Sequence, residues 1–102
     1  MMKVDITFKQ MDSSASVKEY IQEKVEKLSR FSLQAAEIHV KLHHERNHHQ
    51  AQIDVSAKDV HARGEASSGD VYKAFDEAFD KIEKTLRRHH DKVVRIRSDA
   101  RA

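Results

Sequence analysis

Lys73, Lys81, Lys84, Arg88, Lys92 and Arg95 recur through the last third of the sequence at spacings that gather on one side of a helix. With Val71 set at zero and about 100° per residue, all six fall between about 200° and 300°. Glu77 interrupts the row, and Asp91 stands at its edge. Asp76, Asp80 and Glu83 collect between about 120° and 180°, with Arg87 among them. A solvated face laced with i,i+4 pairs would mix the two signs. A row of like charge along about six turns suits the regularly spaced phosphates of structured RNA or DNA. Lys24 and Lys27 lie on one flank of an earlier helix and widen this patch if that flank faces the second helix.

Other chemistries find less support. His43, His44, His48 and His49 cluster, and His44-x3-His48 has a tolerable ligand spacing. The spacing falls on a loop, no cysteine assists, and Glu45 is the only nearby carboxylate, so no metal site and no cofactor are expected. His89-His90 reads as part of the basic helix. There is no glycine-rich phosphate loop and no thiol nucleophile, and the serines sit where helix caps belong. No catalytic residue and no small-molecule substrate are expected. Phe8, Phe31, Phe75 and Phe79 suit core or core-edge positions, and Tyr20 and Tyr72 read as core-edge residues with bonded hydroxyls. The polar sheet face, with Thr7, His39, Lys41, Asp54 and Arg63, offers no aromatic platform, which favours recognition of phosphate and shape over base readout.

The elements that must hold these residues follow from periodicity. Val4, Ile6 and Phe8 alternate with polar neighbours as in a half-buried strand. Asp12, Ser13, Ser14 and Ser16 are candidate caps for a helix whose stripe is Val17, Ile21, Val25 and Leu28, ending near Arg30-Phe31. Three more alternating runs, Ile38–Leu42, Ala51–Ala57 and Val60–Ala66, each carry one apolar face. His44 to Gln50 reads as a loose hairpin loop and Lys58-Asp59 as a tight turn. A long helix starts near Ser67 to Asp70, carries Val71, Phe75, Ala78, Phe79, Ile82 and Leu86 on its stripe, and runs past His90. The expected fold is α+β, β-α-β-β-β-α, a four-stranded sheet with two helices on one face. With 102 residues, one domain over 1–94 and a basic C-terminal tail over 95–102 are expected. From Lys81 onward eight Lys/Arg face three Asp/Glu, a net +5 on a chain whose total is +2. The absence of cysteine and of any long apolar run points to a cytoplasmic protein without a membrane partner.

Several segments resemble the ribosome hibernation promoting factor family, also called ribosome-associated inhibitors. They are Val4-Asp5-Ile6-Thr7, Val17-Lys18-Glu19-Tyr20-Ile21, Glu45-Arg46 with His49, and Val60-His61-Ala62. The most specific is Asp70-Val71-Tyr72-Lys73-Ala74-Phe75-Asp76, continuing through Asp80-Lys81-Ile82 to Arg88-His89-His90-Asp91-Lys92. The sequence departs from the family where Phe8 replaces a common glycine and where Lys58-Asp59 lacks one. The resemblance implies a short-form member that binds the small ribosomal subunit near the decoding centre and inhibits translation. Its implied partners are that subunit and its ribosomal RNA, met as a monomer. By position, the matching contacts are Lys24, Lys27, Lys81, Lys84, Arg88 and Lys92, with His90 at a usually basic place. Arg87 joins them as candidate RNA contacts on charge. The alternative expectation is a general structured-RNA-binding domain.

Overall fold

Strand β1 (Lys3–Lys9) opens the chain, and its residues alternate between exposed and half-buried. The computed structural model describes the backbone of residues 2–101 and the side-chain surroundings of residues 2–95. Among the candidate caps, Ser14 takes the role. Its backbone is extended and its hydroxyl accepts from the Val17 amide at 3.3 Å, which satisfies one of the free N–H groups of the first turn. Helix α1 (Ala15–Glu26) buries Val17, Ile21 and Val25. It then tightens into a 3-10 turn, Lys27–Phe31, which buries Leu28 and Phe31. Ser32, in the left-handed region at φ 54°, ends it.

Strands β2 (Glu37–Glu45), β3 (His48–Ser56) and β4 (His61–Ser68) follow, and the sheet order is β1-β2-β3-β4. β1 pairs with β2 in parallel, as a helical crossover demands, and the other pairs are antiparallel. The β2–β3 connection differs from the loose loop expected at His44 to Gln50. The ladder continues through His44↔His49 to Glu45↔His48, leaving only Arg46 and Asn47 in the turn. Both have positive φ, 43° and 63°, the conformation of a two-residue hairpin whose twist matches that of its strands. The β3–β4 turn is tight as expected, closed by the Ala57 amide donating to the Val60 carbonyl at 2.9 Å.

Helix α2 (Val71–Arg101) starts later than the earliest expected position because β4 continues to Ser68. Asp70 caps it by accepting from the Tyr72 amide at 2.9 Å, and Ser68 Oγ accepts from the Asp70 amide at 3.3 Å. Its backbone passes through Arg95 without a break, so residues 95–101 prolong the helix, while Ala102 of the expected tail lies outside the described residues.

Both helices cover one face of the sheet. Ile38, Val40, Leu42, Ala51, Ile53, Val55 and Ala62 meet Ile21, Val25 and Leu28 from α1 and its 3-10 extension, and Phe75, Phe79, Ile82 and Leu86 from α2. Gly64 belongs to the same face, and an added Cβ there would stand 2.5 Å from the Ala78 carbonyl oxygen. The missing side chain is what lets α2 lie this close to β4. Among the described residues the core contains no buried polar or charged side chain. Function therefore has only the surface to work with.

Candidate nucleic-acid interface

Three sides of α2 have three different neighbours. Ala74, Phe75, Ala78, Phe79, Ile82 and Leu86 face the sheet and are buried. The next flank faces α1 and its 3-10 extension and carries acids that they engage. Asp76 accepts from the Tyr20 hydroxyl at 2.6 Å and lies 3.7 Å from Lys24 Nζ, while Glu83 pairs with Arg30. The seam thus engages Asp76 and Glu83, two of the three acids of that arc, while Asp80 stays exposed. The third side faces solvent and holds Lys73, Lys81, Lys84, Arg88 and Lys92, all exposed. From Lys73 to Lys92 this row spans roughly 28 Å at about 1.5 Å per residue.

The candidate contacts do not form one continuous surface. Lys24 does face α2, but it is drawn into the seam by Asp76. Lys27, in the 3-10 turn, is exposed. Lys81 bends toward the sheet and donates to the Glu65 carbonyl at 2.6 Å, clamping α2 to β4. Lys84 lies 3.0 Å from Asp80 one turn earlier, in a well-exposed pair that contributes little to stability. Arg87 and Arg88 are exposed. Among the described residues, no carboxylate lies within salt-bridge distance of Lys73, Arg88 or Lys92. His90 lies apart from the row. It is half-buried on the α1 side, its ring centroid 6.1 Å from that of Phe31. With His89, Val93 and Val94 it lines a depression of about 150 Å3, more polar than apolar, between α2, the loop before β2 and the β3–β4 turn.

The histidine hairpin has its own geometry. Paired residues 44 and 49 lie on the helix-covered face, one step beyond Leu42 and Ala51, and their rings stack at 4.5 Å and 23°. Burial lowers the His49 pKa, the charge of His44 lowers it further, and Asp70 partly opposes both. His49 Nδ1 is buried without a hydrogen-bond partner. His43 points to the opposite face and meets Gln10 Oε1 at 3.1 Å. Among the described residues no group of three or more His, Cys, Asp or Glu side chains converges as a metal site would require. On the bare sheet face Asp54 is shared by His61 at 2.5 Å and Arg63 at 3.4 Å. Burial raises its pKa, but the hydrogen bonds and charges of those partners outweigh it, and the net shift is downward.

Periodicity did not reveal the tyrosine pair at the seam. Tyr20 and Tyr72 meet edge to face at 5.0 Å, and Tyr20 packs on Phe75 at 6.1 Å. Burial, then the hydrogen bond to Asp76, pushes the Tyr20 pKa up to about 12. Tyr20 behaves as expected of a core-edge tyrosine with a bonded hydroxyl. Tyr72 does not, being 37% exposed. Among the described residues its hydroxyl has no hydrogen-bond partner.

This combination of a mixed four-stranded sheet, bare on one face, and two helices in the order β-α-β-β-β-α defines the fold class. The same architecture occurs in the crystal structure of the N-terminal domain of Protein Y from Thermus thermophilus. That structure aligns with a TM-score of 0.79 at 22% identity, covering 86% of this chain and 99% of the other. A ribosomal subunit interface protein from Coxiella burnetii aligns with a TM-score of 0.76 at 22% identity, covering 87% and 97%. The family follows from the sequence itself. The family described as sigma 54 modulation protein / S30EA ribosomal protein matches residues 4–94, and this chain belongs to it. Among curated relatives, ribosome-associated factor Y of Haemophilus influenzae is 29% identical over 100 residues, 98% of this chain and 94% of the relative. The ribosome hibernation promoting factor of Salmonella typhimurium is 29% identical over 94 residues, 90% and 97%. Among the described residues, no helix is long and apolar enough to cross a membrane.

Proposed function

We propose that this protein is a ribosome-associated translation inhibitor of the hibernation type. It binds the small ribosomal subunit near the decoding centre, in the cytoplasm, by gripping the phosphates of ribosomal RNA. The relatives' names support the ribosome as the partner, and one structural observation supports the surface. The acids of α2 at Asp76 and Glu83 are consumed by α1 and its 3-10 extension, which leaves the outward face of the helix predominantly cationic, with Glu77 and Asp91 opposing the row. Phosphate contacts of this kind set affinity and orientation and carry no sequence information. The protein acts by occupying a site, not by catalysis.

The test is charge reversal at Lys84, Arg88 and Lys92. Lys81 is left in place because it holds the helix to β4. Exposed substitutions of this kind change stability by about 0.5 kcal/mol or less. The triple Glu variant is expected to fold, to stop sedimenting with purified small subunits and to stop inhibiting a reconstituted translation system. Lys3, Lys9 and Lys41 changed to Glu alter net charge equally on the bare sheet face and are expected to leave binding intact. Binding by the wild type is expected to weaken roughly a hundred- to a thousandfold between about 50 and 200 mM salt, as four to six phosphate contacts require. A folded triple variant that inhibits fully removes the cationic face from the argument. Equal affinity for any RNA duplex would instead favour a general structured-RNA-binding domain.

A further inference from the structure

We propose that Tyr72 is a stacking site for an unpaired base of the bound RNA. This rests on the RNA-binding reading above and adds a contact of a different kind, to a base and not to a phosphate. Tyr72 stands 37% exposed in the first turn of α2. Its position is fixed from two sides. The Asp70 cap holds its amide at 2.9 Å, and its ring rests perpendicular to Tyr20 with centroids 5.0 Å apart. Tyr20 is itself held by Phe75 at 6.1 Å and by its 2.6 Å hydrogen bond to Asp76, so the support reaches into the core. A ring held in this way loses little freedom when a base settles on it.

Its surroundings favour a nucleotide. Lys24 Nζ, shared with Asp76 at 3.7 Å, sits 5.6 Å from the ring centroid of the neighbouring Tyr20. Exposed Lys73, with no carboxylate at salt-bridge distance among the described residues, follows Tyr72 in the chain. An aromatic surface with cations beside it is the arrangement by which single-stranded nucleic acid is held, bases on the ring and backbone on the lysines. A tyrosine at a core edge normally finds a partner for its hydroxyl. Tyr20 has one, but Tyr72 has none among the described residues. Its phenol is free to bond to a base edge or a ribose hydroxyl.

The protein has two tyrosines and no tryptophan, so tyrosine emission reports on this site directly. In the Tyr20→Phe variant, Tyr72 is the sole emitter. Its emission is expected to be quenched in step with binding of a 12-nucleotide oligoadenylate, followed independently by the anisotropy of labelled RNA. Tyr72→Leu is expected to weaken that binding about five- to a hundredfold, the range for one stacked base, and Tyr72→Phe to stay within about twofold. Circular dichroism confirms that each variant is folded. RNA bound without quenching, wild-type affinity in Tyr72→Leu, or no oligoadenylate binding by the wild type each overturns the assignment. The Lys84/Arg88/Lys92 variant separates the two claims. If it binds oligoadenylate normally while Tyr72→Leu does not, the cationic-face reading falls and the base site stands. If it alone loses binding, the reverse holds.

Discussion

Replacing Gly64 with alanine is the sharpest test of how α2 is seated. The added methyl carbon would stand 2.5 Å from the Ala78 carbonyl oxygen and 3.3 Å from Lys81 Cβ. Non-bonded carbon and oxygen atoms rest at about 3.5 Å, so α2 must rise off β4 by close to 1 Å. The nearest obstacle is helix backbone, which cannot swing aside as a side chain would. Overpacking of this kind costs about 1–3 kcal/mol, of which the stiffer unfolded chain of alanine returns about 0.4–1. A net loss of about 1–2 kcal/mol corresponds to a fall in melting temperature of roughly 5–15 °C for a domain of this size. Gly69→Ala is the matched control. Nothing lies within 4 Å of its added carbon and neither glycine has positive φ, so it should be neutral or stabilising. Thermal and urea unfolding of the two variants decide the matter. If Gly64→Ala melts at or above the wild-type temperature, α2 is not held against β4 in the manner described. The clamp from Lys81 to Glu65 would then need another explanation as well.

The remaining predictions concern individual side chains. Because the folded state depresses the His49 pKa, the unfolded chain takes up that proton more readily. The stability this residue contributes is therefore complete above about pH 6.5 and lost as pH falls through the lowered folded value; wild-type minus His49→Asn melting temperatures at pH 8 and pH 5 should differ in that direction. Thermal stability of the untagged protein should be indifferent to zinc or chelator, and a stoichiometric stabilising metal would overturn the reading of the histidine hairpin. Ultraviolet titration should show the Tyr20 phenol ionising at about 12, with that step missing in Tyr20→Phe. Arg46→Gly should raise stability by a few tenths to about 1 kcal/mol in urea unfolding, since φ 43° strains any residue with a Cβ.

What was legible in the sequence was local. The alternation of Val4, Ile6 and Phe8, and the stripe from Val71 to Leu86, located β1 and the inward face of α2 because strand and helix periods act over a few residues. The family resemblance read from the same segments agrees with the match over residues 4–94. The β2–β3 hairpin was misjudged because apolar alternation stops at Leu42 and Ala51. The strands continue on a stacked histidine pair, and the turn uses Arg46 and Asn47 without the glycine that usually marks it. At the candidate site, the helical wheel gave angles but not neighbours. Tyr20 and Asp76 are 56 residues apart and Arg30 and Glu83 are 53 apart, so no local pattern announces that α1 and its 3-10 extension absorb those acids. The position of His90 against Phe31 was hidden for the same reason.

The parallel pairing of β1 with β2 also determines the order in which the chain can fold as it is made. Lys3 finds its partner at Glu37, whereas β2, β3 and β4 are joined by short turns and pair with near neighbours. At typical synthesis rates of about 5–20 residues per second, β1 emerges about two to seven seconds before the strand it must join. For that interval Val4, Ile6 and Phe8 have no sheet to lie on. A nascent strand in that position is open to pairing with any other edge it meets. Lys3, Asp5 and Lys9, alternating with those apolar residues, are the charges that discourage it until β2 arrives.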